Sequence, residues 1–285
     1  MKDYFYGAIK GFIEAGFSVW NACIKSVLLL LSQGPEEFGD GSLWNSIKSI
    51  EPIFVGVGTG LIVLFFAIGF CQECVDVKSE MRFEVILRFL LRLSIAEFLV
   101  VQNLSILQAI FSSIGNLGKL VIGTMKTEGG MILKIPSEQI DYLKSLKAFG
   151  LLPLILLAVV VMLVVACAGF MLLYTIYFRL FKVLIIMPYG ALAFSTVAGN
   201  NRVSNVSGSF ARYAISTSLE AVTIILALFL GIKFINGGIL PDFLGEDPSG
   251  TLAFTVWCLQ TCFVSLLTVG IVKGAQNITS KALGI

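Results

Sequence analysis

Two carboxylates stand inside otherwise apolar stretches of this sequence. Glu97 lies in the run RLSIAEFLVV, with Gln102 and Gln108 further along, and Glu220 lies in the run AISTSLEAVTIILALF. A carboxylate removed from water must meet a cation, take up a proton or face a water-filled space. A proton or ion path needs a chain of such groups, and here there are two isolated acids. The expected role is therefore structural: an ion pair with Arg88, Arg92, Arg179 or Arg212 that locks helices together.

Other residue types able to do chemistry are scarce. There is no histidine, the side chain most used for acid/base work near neutral pH and the commonest metal ligand. The stretch Gly115–Asn116–Leu117–Gly118–Lys119–Leu120 has too few residues between first glycine and lysine for a phosphate loop, and Leu120 stands where a magnesium-binding hydroxyl belongs. Cys71 and Cys74 form one CxxC with no second pair to complete a four-thiolate site. The sequons at Asn103, Asn205 and Asn277 fall in or beside apolar segments and read as chance matches. No enzymatic activity, cofactor or metal is expected.

The elements that must position these residues are membrane helices. Of 285 residues 57% are hydrophobic and 13% charged, with a net charge of +2, where soluble chains carry about a quarter charged residues. A hydrocarbon core about 30 Å thick asks for roughly 20 apolar residues per helix. Such runs recur at Ile53 to Phe70, Leu93 to Phe111, Leu151 to Tyr174, Ala214 to Ile235 and Leu252 to Val272. Val183 to Ala198 is shorter and is interrupted by Pro188 and Gly190, so it reads as a thin span or a re-entrant hairpin.

Before these spans, residues 4 to 31 alternate apolar side chains with a stripe of Lys10, Glu14, Asn21 and Lys25. That pattern predicts an amphipathic helix on the membrane surface or against neighbouring subunits. A turn follows at Gly34 to Gly41, then a short helix from Ser42 to Ile50. The chain is thus read as an amino-terminal helical region (1–50) and a transmembrane domain (51–285). Within the latter an interfacial connection (116–150) carries Lys119, Lys126, Lys134, Lys144 and Lys147, all candidates for contact with substrate or partner. In that connection Ser137 is placed to cap a short amphipathic helix. The fold class is all-α and polytopic, with five or six spans. Arg88, Arg92, Arg179, Lys182 and Arg212 are expected at the membrane interface. Gly56, Gly60, Gly270 and Gly274 are expected to let helices pack closely.

The stretch YFRLFKVLIIMPYGALAF, residues 177–194, is followed by a polar segment, 199–212, and an apolar helix with Glu220. With the order of elements along nearly the whole chain, it resembles the TrbL-like (VirB-type) polytopic inner-membrane subunits of type IV secretion and conjugation systems. The resemblance implies a long span leading into a proline-containing apolar turn. It further implies a structural conduit for DNA or protein in the bacterial plasma membrane, assembled as a homo-oligomer with other channel subunits and secretion ATPases. Five crossings, the amino terminus outside and the carboxyl terminus cytoplasmic, go with it. The competing class is a small-molecule or ion transporter, which would show inverted repeats and paired broken helices.

Overall fold

A computed structural model of the chain describes all residues except 1, 77–82, 128–131, 147, 200, 237–250, 283 and 285. Among the described residues eight α-helices follow in order: α1 (Lys2–Ser32), α2 (Ser42–Asp76), α3 (Phe83–Val101), α4 (Asn103–Thr127), α5 (Ser137–Ser145), α6 (Ala148–Ser195), α7 (Asn201–Asn236) and α8 (Thr251–Ala282). Two single 3₁₀ turns, Phe38–Gly41 and Thr196–Ala198, accompany them, and there is no strand among the described residues. Six helical stretches, in α1, α2, α4, α6, α7 and α8, are long and apolar enough to cross a bilayer. The chain is an all-α, multi-pass helical membrane protein.

Several boundaries depart from those the sequence predicted. Pro188 does not end a span: α6 is one helix of 48 residues, about 72 Å long at 1.5 Å per residue. A proline deletes one donor, leaving the Leu184 carbonyl without its usual partner. Leu184, Met187 and Ala191 are buried around it, and that packing holds the helix. The segment 183–198, read as a thin span or a re-entrant hairpin, and the proline-containing turn are instead the end of α6, continuous to Ser195, followed by the 3₁₀ turn Thr196–Ala198. Pro52 is absorbed likewise, so the short helix from Ser42 and the span from Ile53 are both parts of α2. In the opposite direction, the segment from Val85 to Gly115 is two helices. The junction is tight: the Gln102 N–H donates to the Phe98 carbonyl at 2.9 Å, and the Ile106 N–H donates to the Gln102 carbonyl at 3.0 Å. The connection at 116–150 begins as helix, because α4 runs on to Thr127. The expected short helix there is α5, but Ser137 is its first residue and supplies no side-chain cap. The turn before α2 is present, with Gly39, Asp40 and Gly41 at positive φ.

The chain divides into two compact units, each discontinuous in sequence. The first comprises Met1–Leu31, Gly118–Tyr177 and Val222–Ala275. Here α1 buries Ile9, Ile13, Phe17, Trp20, Ile24 and Val27, the apolar face read from its periodicity. The helix is also apolar enough to span. Phe17 meets Trp257 of α8 edge to face, centroids 6.1 Å apart. On α8 the residues Phe254, Cys258, Thr261, Ser265, Thr268, Val272 and Ala275 are buried, a seam of alternating four- and three-residue steps with small side chains that lets helices approach closely.

The second unit comprises Ser32–Leu117, Phe178–Ala221 and Gln276–Ile285. One core cluster joins Trp44, Leu104, Leu107 and Phe111 to Val183, Leu184, Met187 and Ala214. Another joins Ile62, Ala96 and Val100 to Ala191, Phe194 and Ala198. The helix pair α2 and α3 lies against the end of α6 through this second cluster.

Candidate functional site: a charged seam and a neutral junction

In the second unit, Arg179 and Lys182 stand three residues apart on α6, so they share a face. Both point at α7. Lys182 Nζ lies 3.5 Å from Glu220 Oε2, with the two side chains 15% and 9% exposed. The same ammonium sits 5.4 Å from the centroid of the Tyr213 ring, within cation–π range. Arg179 is 6% exposed. Its Nη2 donates to the backbone carbonyls of Thr217 and Ser218, each at 3.3 Å. Glu220 also acts on the guanidinium electrostatically. The Arg179 Nε is buried without a partner. This seam joins α6 to α7 through charge.

A second polar contact, also in this unit, is neutral. Asn103, the first residue of α4, is fully buried. Its Nδ2 donates to the Met187 carbonyl at 2.8 Å, while its Oδ1 has no partner. That oxygen sits against Gly190, where any Cβ would overlap it; glycine is required here by close approach. The carboxylate of Glu51 on α2 lies within reach of the Leu104 backbone N–H. The N–H groups at a helix start have no intrahelical partner and favour a nearby anion. The break between α3 and α4 is therefore held from two sides, by α2 and by α6.

The structure separates the residues that the sequence grouped. Glu220 pairs with Lys182 and feels Arg179, whereas Arg212 is exposed and Arg88 is exposed. Arg92 lies 6.0 Å from the Phe89 ring centroid. Glu97 is exposed and has no ion pair among the described residues. Gln102 is exposed at the helix break. Gln108 donates to Glu36 in the turn before α2, not to another intramembrane group. Lys119 is exposed on α4, and Lys144 pairs with Asp141 on α5 at 3.5 Å. Lys134 lines an open groove of about 500 Å³ with Glu14, Phe17 and Ser18 of α1, where the Asn21 side chain and the Leu133 backbone exchange two hydrogen bonds. The Lys126 side chain and Lys147 lie outside the described residues.

The glycines expected to pack helices have no such neighbour among the described residues. A Cβ at Gly56, Gly60, Gly270 or Gly274 would meet nothing within 4 Å. Close approach is instead made at Gly58 against Ala191, at Gly16 against Met162 and at Gly190. Two residues that matter were missed. Glu51 was hidden by its place before Pro52, at what read as a helix end, and its spacing of three from Lys48 was the available signal. Gly190 read as a helix breaker and is a contact point.

Among the described residues no group of His, Cys, Asp or Glu side chains is placed to hold a metal ion. No protein-family model, curated protein or solved structure matches the chain.

Proposed function

We propose that the protein is a structural, conduit-forming membrane subunit of a type IV secretion or conjugation channel, of the TrbL-like kind, in the bacterial plasma membrane. One observation carries the assembly part of this reading. Along α6, large apolar side chains are exposed from Leu152 to Tyr189, among them Leu156 at 73%, Phe178 at 63% and Ile185 at 58%. That stretch is about 55 Å long, against a hydrocarbon core of about 30 Å. Lipid tails cover only part of it, and the remainder asks for protein. The unpacked glycines at 56, 60, 270 and 274 are surfaces of the same kind, where a neighbouring helix fits closely. The partners proposed are further copies of this chain, other channel subunits and secretion ATPases, with DNA or protein in transit. The resemblance at 177–194 is the ground for the family reading; the proline-containing turn, being helix, speaks against it. Five crossings with the amino terminus outside remain part of the proposal.

A transporter is the second reading, and the discontinuity between α3 and α4, with a buried half-satisfied asparagine, is the observation that favours it. Against it, the helix in the second half that carries Pro188 is unbroken, so the paired discontinuities of an inverted repeat are not both present. Crosslinking in the native cell, followed by purification of the tagged chain and mass spectrometry, separates the two. Secretion ATPases and channel subunits recovered together with crosslinked DNA or substrate protein are the expected result. A chain recovered alone, or only with itself, contradicts the conduit.

A further inference from the structure

The charged seam does not balance. Two cations, the buried Arg179 and the half-buried Lys182, share one acid: among the described residues Glu220 is the carboxylate that acts on either. The Arg179 Nε has no partner although the residue is more than nine-tenths buried, and the two carbonyls at 3.3 Å lie at the long end of hydrogen bonding. A buried positive charge without its own counter-charge is strongly unfavourable, so the seam favours a further anion beside it.

Position along α6 identifies its chemistry. The uncharged run Leu151 to Tyr174 is about 36 Å long, enough to cross the hydrocarbon, and Arg179 follows it by little more than one helical turn. Measured from that run of α6, this is headgroup depth, where aromatic and cationic side chains collect. Phe178 is 63% exposed, Phe181 50% and Tyr213 38%, so exposed aromatic rings stand next to these cations in sequence or, for Tyr213, against Lys182. The anion abundant at that depth is phosphate. Lys182 is the more accessible of the two cations, and its three ammonium donors are not exhausted by one carboxylate contact.

We infer that the α6–α7 seam at Lys182 binds the phosphate of an anionic phospholipid, with Lys182 as the direct donor, Arg179 as the charge behind it, and Phe181 and Tyr213 beside the acyl-chain end of the headgroup. Inorganic phosphate shares this chemistry and is separated by the test. The inference is independent of the conduit reading, because it concerns the purified chain alone.

The full chain is placed in nanodiscs of mixed phosphatidylcholine and phosphatidylglycerol, and retained lipid is counted by native mass spectrometry. Wild type is expected to retain phosphatidylglycerol in preference. K182Q is expected to lower that retention about fivefold, the worth of one lysine at an anionic surface. E220Q is expected to raise it, because the competing carboxylate is gone; a merely structural seam would weaken in both variants. Equal retention of the two lipids, or a parallel loss in K182Q and E220Q, overturns the proposal. So does inorganic phosphate that abolishes the phosphatidylglycerol preference and stabilises the chain in phosphatidylcholine alone, which would assign the site to free phosphate. If K182Q does not fold, the sign of the E220Q effect decides.

Discussion

The charged seam between α6 and α7 and the neutral junction of α3 with α4 lie in the same unit, and they hold helices together by opposite means. The seam depends on charge: Lys182 and Arg179 answer Glu220 in a buried setting, and its geometry is loose, with contacts of 3.3 to 3.5 Å. The junction depends on shape: one amide hydrogen bond at 2.8 Å and an oxygen packed where only glycine fits. Removing a charge from the first should leave an uncompensated ion. Adding a single carbon to the second should push two helices apart.

The largest effect is expected at the seam. Glu220→Leu leaves the buried Arg179 and the half-buried Lys182 without an acid and is expected to cost about 3–5 kcal/mol, the range for breaking a buried ion pair from one side. Thermal unfolding in detergent measures it, and replacing Lys182 by Met in the same chain should recover a substantial part. Next is Gly190→Ala, expected to cost about 1–3 kcal/mol through overpacking. Because the obstruction is the Asn103 amide, the double variant with Asn103→Ala should be more stable than Gly190→Ala alone, and a purely additive pair would remove the shape argument. Asn103→Leu alone is expected to cost about 1 kcal/mol, since membrane helix hydrogen bonds are individually modest. The smallest effect belongs to Glu97→Gln, expected within about 0.5 kcal/mol of wild type, as for exposed positions generally. A large loss there would mean that Glu97 has a partner that these contacts do not include.

The sequence made the two sites legible to different degrees for physical reasons. Glu220 stood out because a carboxylate in an apolar run is costly anywhere, and the cationic pair at Arg179 and Lys182 was visible as a flank of the strongest span. Their pairing was not, since it requires knowing that α6 continues past Lys182 and that α7 lies along it. Proline and glycine at 188 and 190 argued for a turn, but local propensity yields to packing, and Leu184, Met187 and Ala191 are buried there. The break at Gln102 had the reverse problem: leucines, valines and isoleucines run through it without a breaker, and the break is held by Asn103 and Glu51 through contacts distant in sequence. The α1 face, by contrast, was plain in its periodicity, because each buried residue returns to one side every three or four positions.

The helix α6 links these observations, and its course relative to the membrane is the claim on which the functional proposal rests. Native Cys167 is exposed on α6 within the Leu151–Tyr174 run, and Tyr189, 52% exposed, lies well past the charged seam. The direct measurement is labelling by a membrane-impermeant maleimide in open membrane fragments, comparing Cys167 with Tyr189→Cys in a background otherwise free of cysteine. The expected result is protection of Cys167 under all conditions, with Tyr189→Cys labelled when the chain is made alone and protected when its native partners are present. Protection of Tyr189→Cys in the chain made alone would put that end of α6 in lipid and contradict the account.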